Sequence, residues 1–329
     1  MSNTNINTPD YYIKGILAGD ISILSRAITL VESTKEEHQI IAEKIIDGVI
    51  EKTGKSFRLG ITGVPGVGKS TFIESFGLEL ADSGHKVAIL AIDPSSQKSK
   101  GSILGDKTRM EKLSVHPKVY IRPSPSSGTL GGVAQKTFET ILLCEAAGYD
   151  FIIVETVGVG QSEITISQMT DFFLLLMLAG AGDELQGIKR GIMEMADSVI
   201  ITKADGSNAQ KAKNARTEYA HALHLFPPTE SGWIPKVDTC SALQGDGITN
   251  VIRIIEEYKL LTTSNGYFNK KRNSQLKDWL HQSIADKLTE KFYNNPSVKL
   301  ELKKMEDLLL KGTVNPYKLA SDLISKWKS

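Results

Sequence analysis

The residues Gly63, Val64, Pro65, Gly66, Val67, Gly68, Lys69 and Ser70 form a complete phosphate-binding loop. An apolar run over residues 57–61 precedes it, and Thr71 opens a helix-forming stretch over 71–80. Glycines let successive backbone N–H groups turn inward around a phosphate without Cβ clashes. Lys69 brings a point charge to the terminal phosphates, and the Ser70 hydroxyl can ligate Mg²⁺. The pattern is complete and sits between a strand and a helix, as the mechanism demands, so a chance glycine-rich turn is the poorer reading. The chemistry expected is the binding of a nucleoside triphosphate.

A second constellation bears on the base. A strand pattern over 198–201 ends in Thr202, Lys203, Ala204 and Asp205, similar to the guanine-reading Asn-Lys-x-Asp motif with Thr in place of Asn. A carboxylate at Asp205 can accept both guanine N1–H and the exocyclic amino group, each bond worth about 1.5–3 kcal/mol. Adenine would set a lone pair against it. The missing Asn removes at most a neutral bond of about 0.5–1.5 kcal/mol, so guanine should still be preferred. Downstream, Ser241, Ala242 and Leu243 follow Cys240 as a loop whose backbone N–H suits guanine O6. The competing reading makes Asp205 a simple N-cap of the next helix.

Magnesium takes hard oxygen ligands, usually one or two carboxylates with a hydroxyl, phosphates and water. Besides Ser70, three acids compete: Asp93 at a strand end, Asp106 in a polar loop, and Glu155 closing the apolar run 151–154. All three cannot ligate directly, so some act through water. Gly158, three residues after Glu155, is the candidate backbone N–H that senses the γ-phosphate. Acids at strand ends can also merely cap the following turn or helix, which for Asp106 is a substantial alternative.

These residues need a scaffold. β-branched and apolar runs at 57–61, 86–92, 118–121, 151–154, 172–178, 198–201 and 234–239 alternate with amphipathic helical patterns. That alternation predicts an α/β P-loop NTPase fold: a doubly wound, mostly parallel sheet with ligands at the C-terminal strand ends. Residues 1–55 read as a helical N-terminal extension broken at Gly19-Asp20 and Ser33-Thr34. The nucleotide domain is expected over 56–264, then a helical C-terminal region over 265–329, set apart by the polar stretch 264–274.

Thirty-nine Lys and Arg balance 38 Asp and Glu, interspersed along the 329 residues, so no field favours nucleic acid or anionic lipid. Neither a signal peptide nor an apolar stretch long enough to span a bilayer is evident, and a cytoplasmic location is expected. Cys144 and Cys240 read as small buried apolar residues. Of the six histidines, only His221 and His224 share helical spacing, and they read as a partly exposed helix face.

The segments GVPGVGKST, AIDPSSxxSxGSILGDKTRM, RPSPSxGTLGG, ETVGVGQSE and GDELQGIKRGIMEMAD together resemble the methylmalonyl-CoA mutase-associated GTPases of the MeaB/ArgK type, which include the human methylmalonic aciduria type A protein. The resemblance covers nearly the whole chain and is most specific in its centre. It implies phosphate binding by Gly66, Gly68, Lys69 and Ser70. Magnesium contacts, direct or through water, fall to Ser70, Asp93, Asp106 and Glu155, and base recognition to Lys203 and Asp205. It also implies mobile switches near 93–109, 155–163 and 180–190.

The same resemblance implies a job: a GTP-hydrolysing chaperone that gates loading and protection of an adenosylcobalamin-dependent acyl-CoA mutase, working as a homodimer through its C-terminal helices. The residues themselves suggest slow turnover. Where a water-orienting Gln is common, the chain has Val159 and Gly160, leaving Gln161, Arg109 and Lys189 as polar groups that could swing in. Lys189 and Arg190 could equally be a solvated helix start. Two alternatives stand beside it: a nickel-inserting metallochaperone GTPase, which would need a Cys/His cluster, and an ATP-using protein kinase, which an Asp205-read guanine does not suit.

Overall fold

The apolar runs become strands β1 (Phe57–Gly63), β2 (Val87–Asp93), β3 (Val119–Pro125), β4 (Phe151–Thr156), β5 (Phe172–Leu178), β6 (Ser198–Thr202) and β7 (Lys236–Thr239) in a computed structural model of the chain. The structure describes residues 8–93, 110–125, 130–156, 162–180, 190–310, 312 and 314–328. All seven strands run parallel, in the order β3-β2-β4-β1-β5-β6-β7. Every residue of β1 and β4 is buried, because helices cover both faces; this is why their sequences are continuous apolar runs rather than alternating ones.

The order places the site. From β1 the chain crosses β4 to reach β2 and β3, returns to β4, then crosses β1 to build β5, β6 and β7 on the other side. The C-terminal end of β1 therefore lies at the reversal of winding, where ligands bind in open α/β sheets. The sequence predicts a mostly parallel sheet; among the described residues it is wholly parallel.

Helices α1 (Pro9–Leu17), α2 (Ile21–Glu32) and α3 (Glu36–Val49) form the N-terminal block, with the breaks at the expected places. The Asp20 carboxylate caps α2 by accepting from Ser22 N (2.8 Å) and Ile23 N (3.0 Å). This block shields the edge strand β3: the Ser25 and Tyr120 hydroxyls meet at 3.1 Å, and Glu32 pairs with Arg122.

The remaining helices are α4 (Lys69–Asp82), α5 (Glu111–Ser114), α6 (Leu130–Ala146), α7 (Ser162–Ser167), α8 (Arg190–Met195), α9 (Ala209–Leu223), α10 (Ile248–Ser264), α11 (Tyr267–Asn294), α12 (Pro296–Leu310) and α13 (Pro316–Lys328). The polar stretch 264–274, expected to separate regions, is helical from Tyr267 onward. Its charges have partners: Lys271 Nζ donates to Asp171 O (2.8 Å), and Arg272 donates to both Asp171 carboxylate oxygens (2.8 and 2.7 Å). Gln275 Nε2 donates to Thr170 O (2.8 Å). Charged and polar residues at its start thus anchor α11 to Thr170 and Asp171.

The chain divides into two compact units, Met1–Gln275 and Leu276–Ser329. The second has its own small core of Val298, Met305 and Leu323, with Phe292 and Trp327 rings packed edge to face at 5.2 Å.

Candidate functional site

The phosphate loop connects β1 to α4, and its glycines answer local constraints. A Cβ on Gly63 would lie 2.5 Å from the Leu176 backbone oxygen, so the close approach of β1 to β5 requires glycine there. Gly66 and Gly68 have φ of 76° and 89°, left-handed values that L side chains rarely adopt. Val67 is buried, while Pro65 and Gly66 are exposed at the crown of the loop. Ser70 and Thr71 open α4 half-buried.

Lys69 folds back over the loop, its ammonium donating to Gly63 O at 2.8 Å. Burial pushes its pKa below the ordinary lysine value, and the Glu155 and Glu163 carboxylates oppose that shift. Glu155 is almost fully buried on β4, which pairs with β1 and β2 through Ile61 and Ala91. The next residue, Thr156, shares a 2.8 Å hydroxyl–hydroxyl bond with Thr62, locking the ends of β4 and β1 together. Glu163, fully buried in the first turn of α7, was not singled out from sequence. Its motif shows only a serine and an acid at a helix start, which reads as a cap, and nothing local signals its burial.

Of the expected magnesium ligands, Ser70 lies in the first turn of α4 and Glu155 near the end of β4, the neighbour of the strand that leads into the loop. A hydroxyl and a carboxylate are the hard oxygen donors that suit Mg²⁺, so this part of the set fits the ion. Asp93 ends β2, next to β4 in the sheet. Asp106, Arg109, Gly158, Val159, Gly160, Gln161 and Lys189 lie outside the described residues.

At the other side of β1, β6 delivers the base motif. Thr202 is buried, and its hydroxyl donates to Val67 O at 2.7 Å, with Met177 O at 3.3 Å. Turning it elsewhere would withdraw it from the carbonyl of the buried Val67, at a cost of about 1–3 kcal/mol against the 0.5–1.5 of a new neutral bond. The hydroxyl therefore stays. Lys203 has φ of 55°, the one left-handed non-glycine residue among those described, and its stem passes 3.8 Å from where a Gly68 Cβ would sit. Asn208 Nδ2 holds that turn by donating to Lys203 O at 2.7 Å. The base strand is thus built against the phosphate loop.

Asp205 occupies the N-cap position of a short 3₁₀ turn, Gly206–Asn208, yet its side chain makes no capping bond. It accepts instead from the Ser241 hydroxyl at 2.5 Å. That arrangement disfavours the simple capping role and leaves a half-buried carboxylate oriented by its neighbour. Ser241 is itself fixed by N–H donation to Asp246 O (2.9 Å), and Ala204 N donates to Cys240 O (3.0 Å). Ser75 on α4 donates to Ala242 O (2.5 Å), a contact that no sequence spacing foretold. Leu243 projects outward, 82% exposed.

His221 and His224 are exposed on and just after α9, and both cysteines are buried. Among the described residues, no group of three or more His, Cys, Asp or Glu is arranged to hold a metal ion. No helix among them is long and apolar enough to cross a membrane.

A family model described as "Methylmalonyl Co-A mutase-associated GTPase MeaB" matches residues 24–297. The GTPase ArgK of Escherichia coli is 46% identical over 283 residues, covering 86% of each chain. The mitochondrial methylmalonic aciduria type A homolog of Mus musculus is 44% identical over 330 residues, covering 97% of this chain and 80% of its own. A crystal structure described as a LAO/AO transport system kinase superposes with a TM-score of 0.76 at 35% identity over the whole of both chains.

Proposed function

This chain belongs to the methylmalonyl Co-A mutase-associated GTPase MeaB family, and from that premise we propose that it binds GTP with Mg²⁺ and hydrolyses it slowly, as a chaperone gating cofactor loading and protection of an adenosylcobalamin-dependent acyl-CoA mutase. The observation that carries the nucleotide reading is the strapping of the Lys203–Asp205 segment onto the phosphate loop through Thr202 and Val67. One rigid unit can then hold both ends of a guanine nucleotide.

In this reading, the loop from Val64 to Ser70 wraps the phosphates, its backbone N–H groups from Gly66 to Ser70 donating to them. Lys69 exchanges the Gly63 carbonyl for the terminal phosphates. The Asp205 carboxylate takes guanine N1–H and the amino group, and the loop of Ser241, Ala242 and Leu243 closes over the base. Ser70 and Glu155 would hold Mg²⁺, with Asp93 and Asp106 completing the set directly or through water; the ion would supply positive charge to offset that of the phosphates. Gly158 senses the γ-phosphate, and Lys189 is the cation that a partner recruits.

The partner assignment rests on the family description and on the name of the mouse relative. A homodimer is supported by α11, where Leu276, Leu280, Ile284 and Leu288 recur every four residues and are each about half exposed, between 48% and 58%. A cytoplasmic location completes the reading.

The experiment is GTP turnover with and without an adenosylcobalamin-dependent mutase, joined to calorimetric titration of the two proteins with GDP and with a non-hydrolysable GTP analogue. Isolated protein should turn over well below the ~1–100 s⁻¹ of kinases, and the mutase should accelerate it. The analogue should strengthen the complex by the factor with which the mutase strengthens analogue binding. Fast unaided turnover with equal mutase affinity in both nucleotide states would overturn the chaperone role.

A further inference from the structure

We propose that Thr202 is a positioning residue that ties the base strand to the phosphate loop and does not read the base, so that this site selects guanine through its Watson–Crick edge and leaves N7 unread. The proposal rests on the guanine-nucleotide reading above and deepens it.

Guanine offers two acceptors, N7 on the Hoogsteen edge and O6, which borders both that edge and the Watson–Crick edge beside N1–H. Reading N7 needs a donor. A threonine hydroxyl has one proton, and in Thr202 that proton is directed to Val67 O at 2.7 Å, while its next nearest neighbour, Met177 O, is also an acceptor. The β-branched side chain is restricted at χ1 and buried between β5, β6 and the loop, so a second rotamer is not freely available. An asparagine at this place would differ: its amide carries two protons, enough to hold the carbonyl and serve the base together. Threonine keeps the mechanical tie and gives up the second donor.

The neighbouring contacts agree with a division of labour. Asp205 is held by the Ser241 hydroxyl, and Ala242 is fixed by Ser75 from the phosphate-loop helix. The base site is thus fastened twice, the end of β6 to the phosphate loop by Thr202 and the loop 241–243 to α4 by Ser75, and neither fastening hydroxyl has a proton left for the nucleotide.

The test is calorimetric titration of the full chain with GDP, 7-deaza-GDP and ADP, each with Mg²⁺. Wild-type protein should bind GDP and 7-deaza-GDP within about twofold, since no neutral bond to N7 is lost. Thr202→Val should weaken both by the same factor, and Thr202→Ser should restore both. Thr202→Asn should bind GDP several-fold better than 7-deaza-GDP. A wild-type preference for GDP over 7-deaza-GDP of about fivefold or more would overturn the proposal, as would a Thr202→Val loss confined to GDP. The wild-type comparison needs no variant to fold. ADP binding as tightly as GDP would instead overturn the guanine reading itself, a separate outcome from any result with the deaza analogue.

Discussion

Lys69 and Gly63 close the phosphate loop on itself, the ammonium of one resting 2.8 Å from the carbonyl oxygen of the other. That contact holds the cation at the loop, with burial lowering its pKa and two carboxylates opposing that change. Lys69→Ala should abolish tight GTP binding, because the terminal phosphates lose the side-chain cation of the loop. Titration with a fluorescent GTP analogue checks this; unchanged affinity would contradict the role given to the loop.

Glu155→Ala should leave GDP affinity within a few-fold and depress Mg²⁺-dependent turnover, since its carboxylate is assigned to the metal and γ-phosphate side. Parallel measurement of GDP binding and of phosphate release over a magnesium series separates the two. Equal loss of GDP and GTP binding would make the buried Glu155 structural instead.

Asp205→Asn should move base preference from guanine toward xanthine, because an amide can donate to the extra xanthine carbonyl where the carboxylate only accepts. The Ser241 hydroxyl that now donates to Asp205 can still bond the amide oxygen, so the loop should hold its shape. Competition between GDP and XDP on both proteins reads the switch.

Arg272→Ala should destabilise the protein by about 3–5 kcal/mol, the typical cost of removing one partner from a buried pair. Asp171, only 2% exposed in its side chain, would lose both guanidinium bonds and keep the Arg58 N–H at 2.8 Å. Chemical denaturation followed by circular dichroism gives the number, and a loss below about 1 kcal/mol would show the anchor of α11 to be dispensable.

Both thiols should be inert in the folded protein. Burial raises the Cys144 pKa and pushes Cys240 up to about 12, so the thiolate that reacts is scarce at pH 8. Ellman's reagent should detect no thiol in the native protein and two after guanidinium unfolding.

Much of this fold was written locally. A fully buried parallel strand must be apolar along its whole length, so runs such as 151–154 and 172–178 announce both the strand and its central place. The loop from Gly63 to Ser70 is legible for the same reason: left-handed turns at Gly66 and Gly68 demand glycine, and the chemistry demands Lys69 and Ser70 in order. Within the polar stretch 264–274 charge alone does not tell solvent from a buried partner; the role of Arg272 shows only when Asp171, 101 positions away, is seen beside it.

The sequence by itself determined the strand–loop–helix units and the types of group each could present, because those depend on neighbours a few residues apart. Only the tertiary structure decided what those groups do to one another. The order of the strands brings Thr202 to Val67 across 135 positions and Ser75 to Ala242 across 167, and it buries Glu163 with nothing in its own segment to say so. Such contacts join elements whose separation along the chain carries no periodic signal, and a hydroxyl with a single proton shows which acceptor it serves only when both stand within bonding distance.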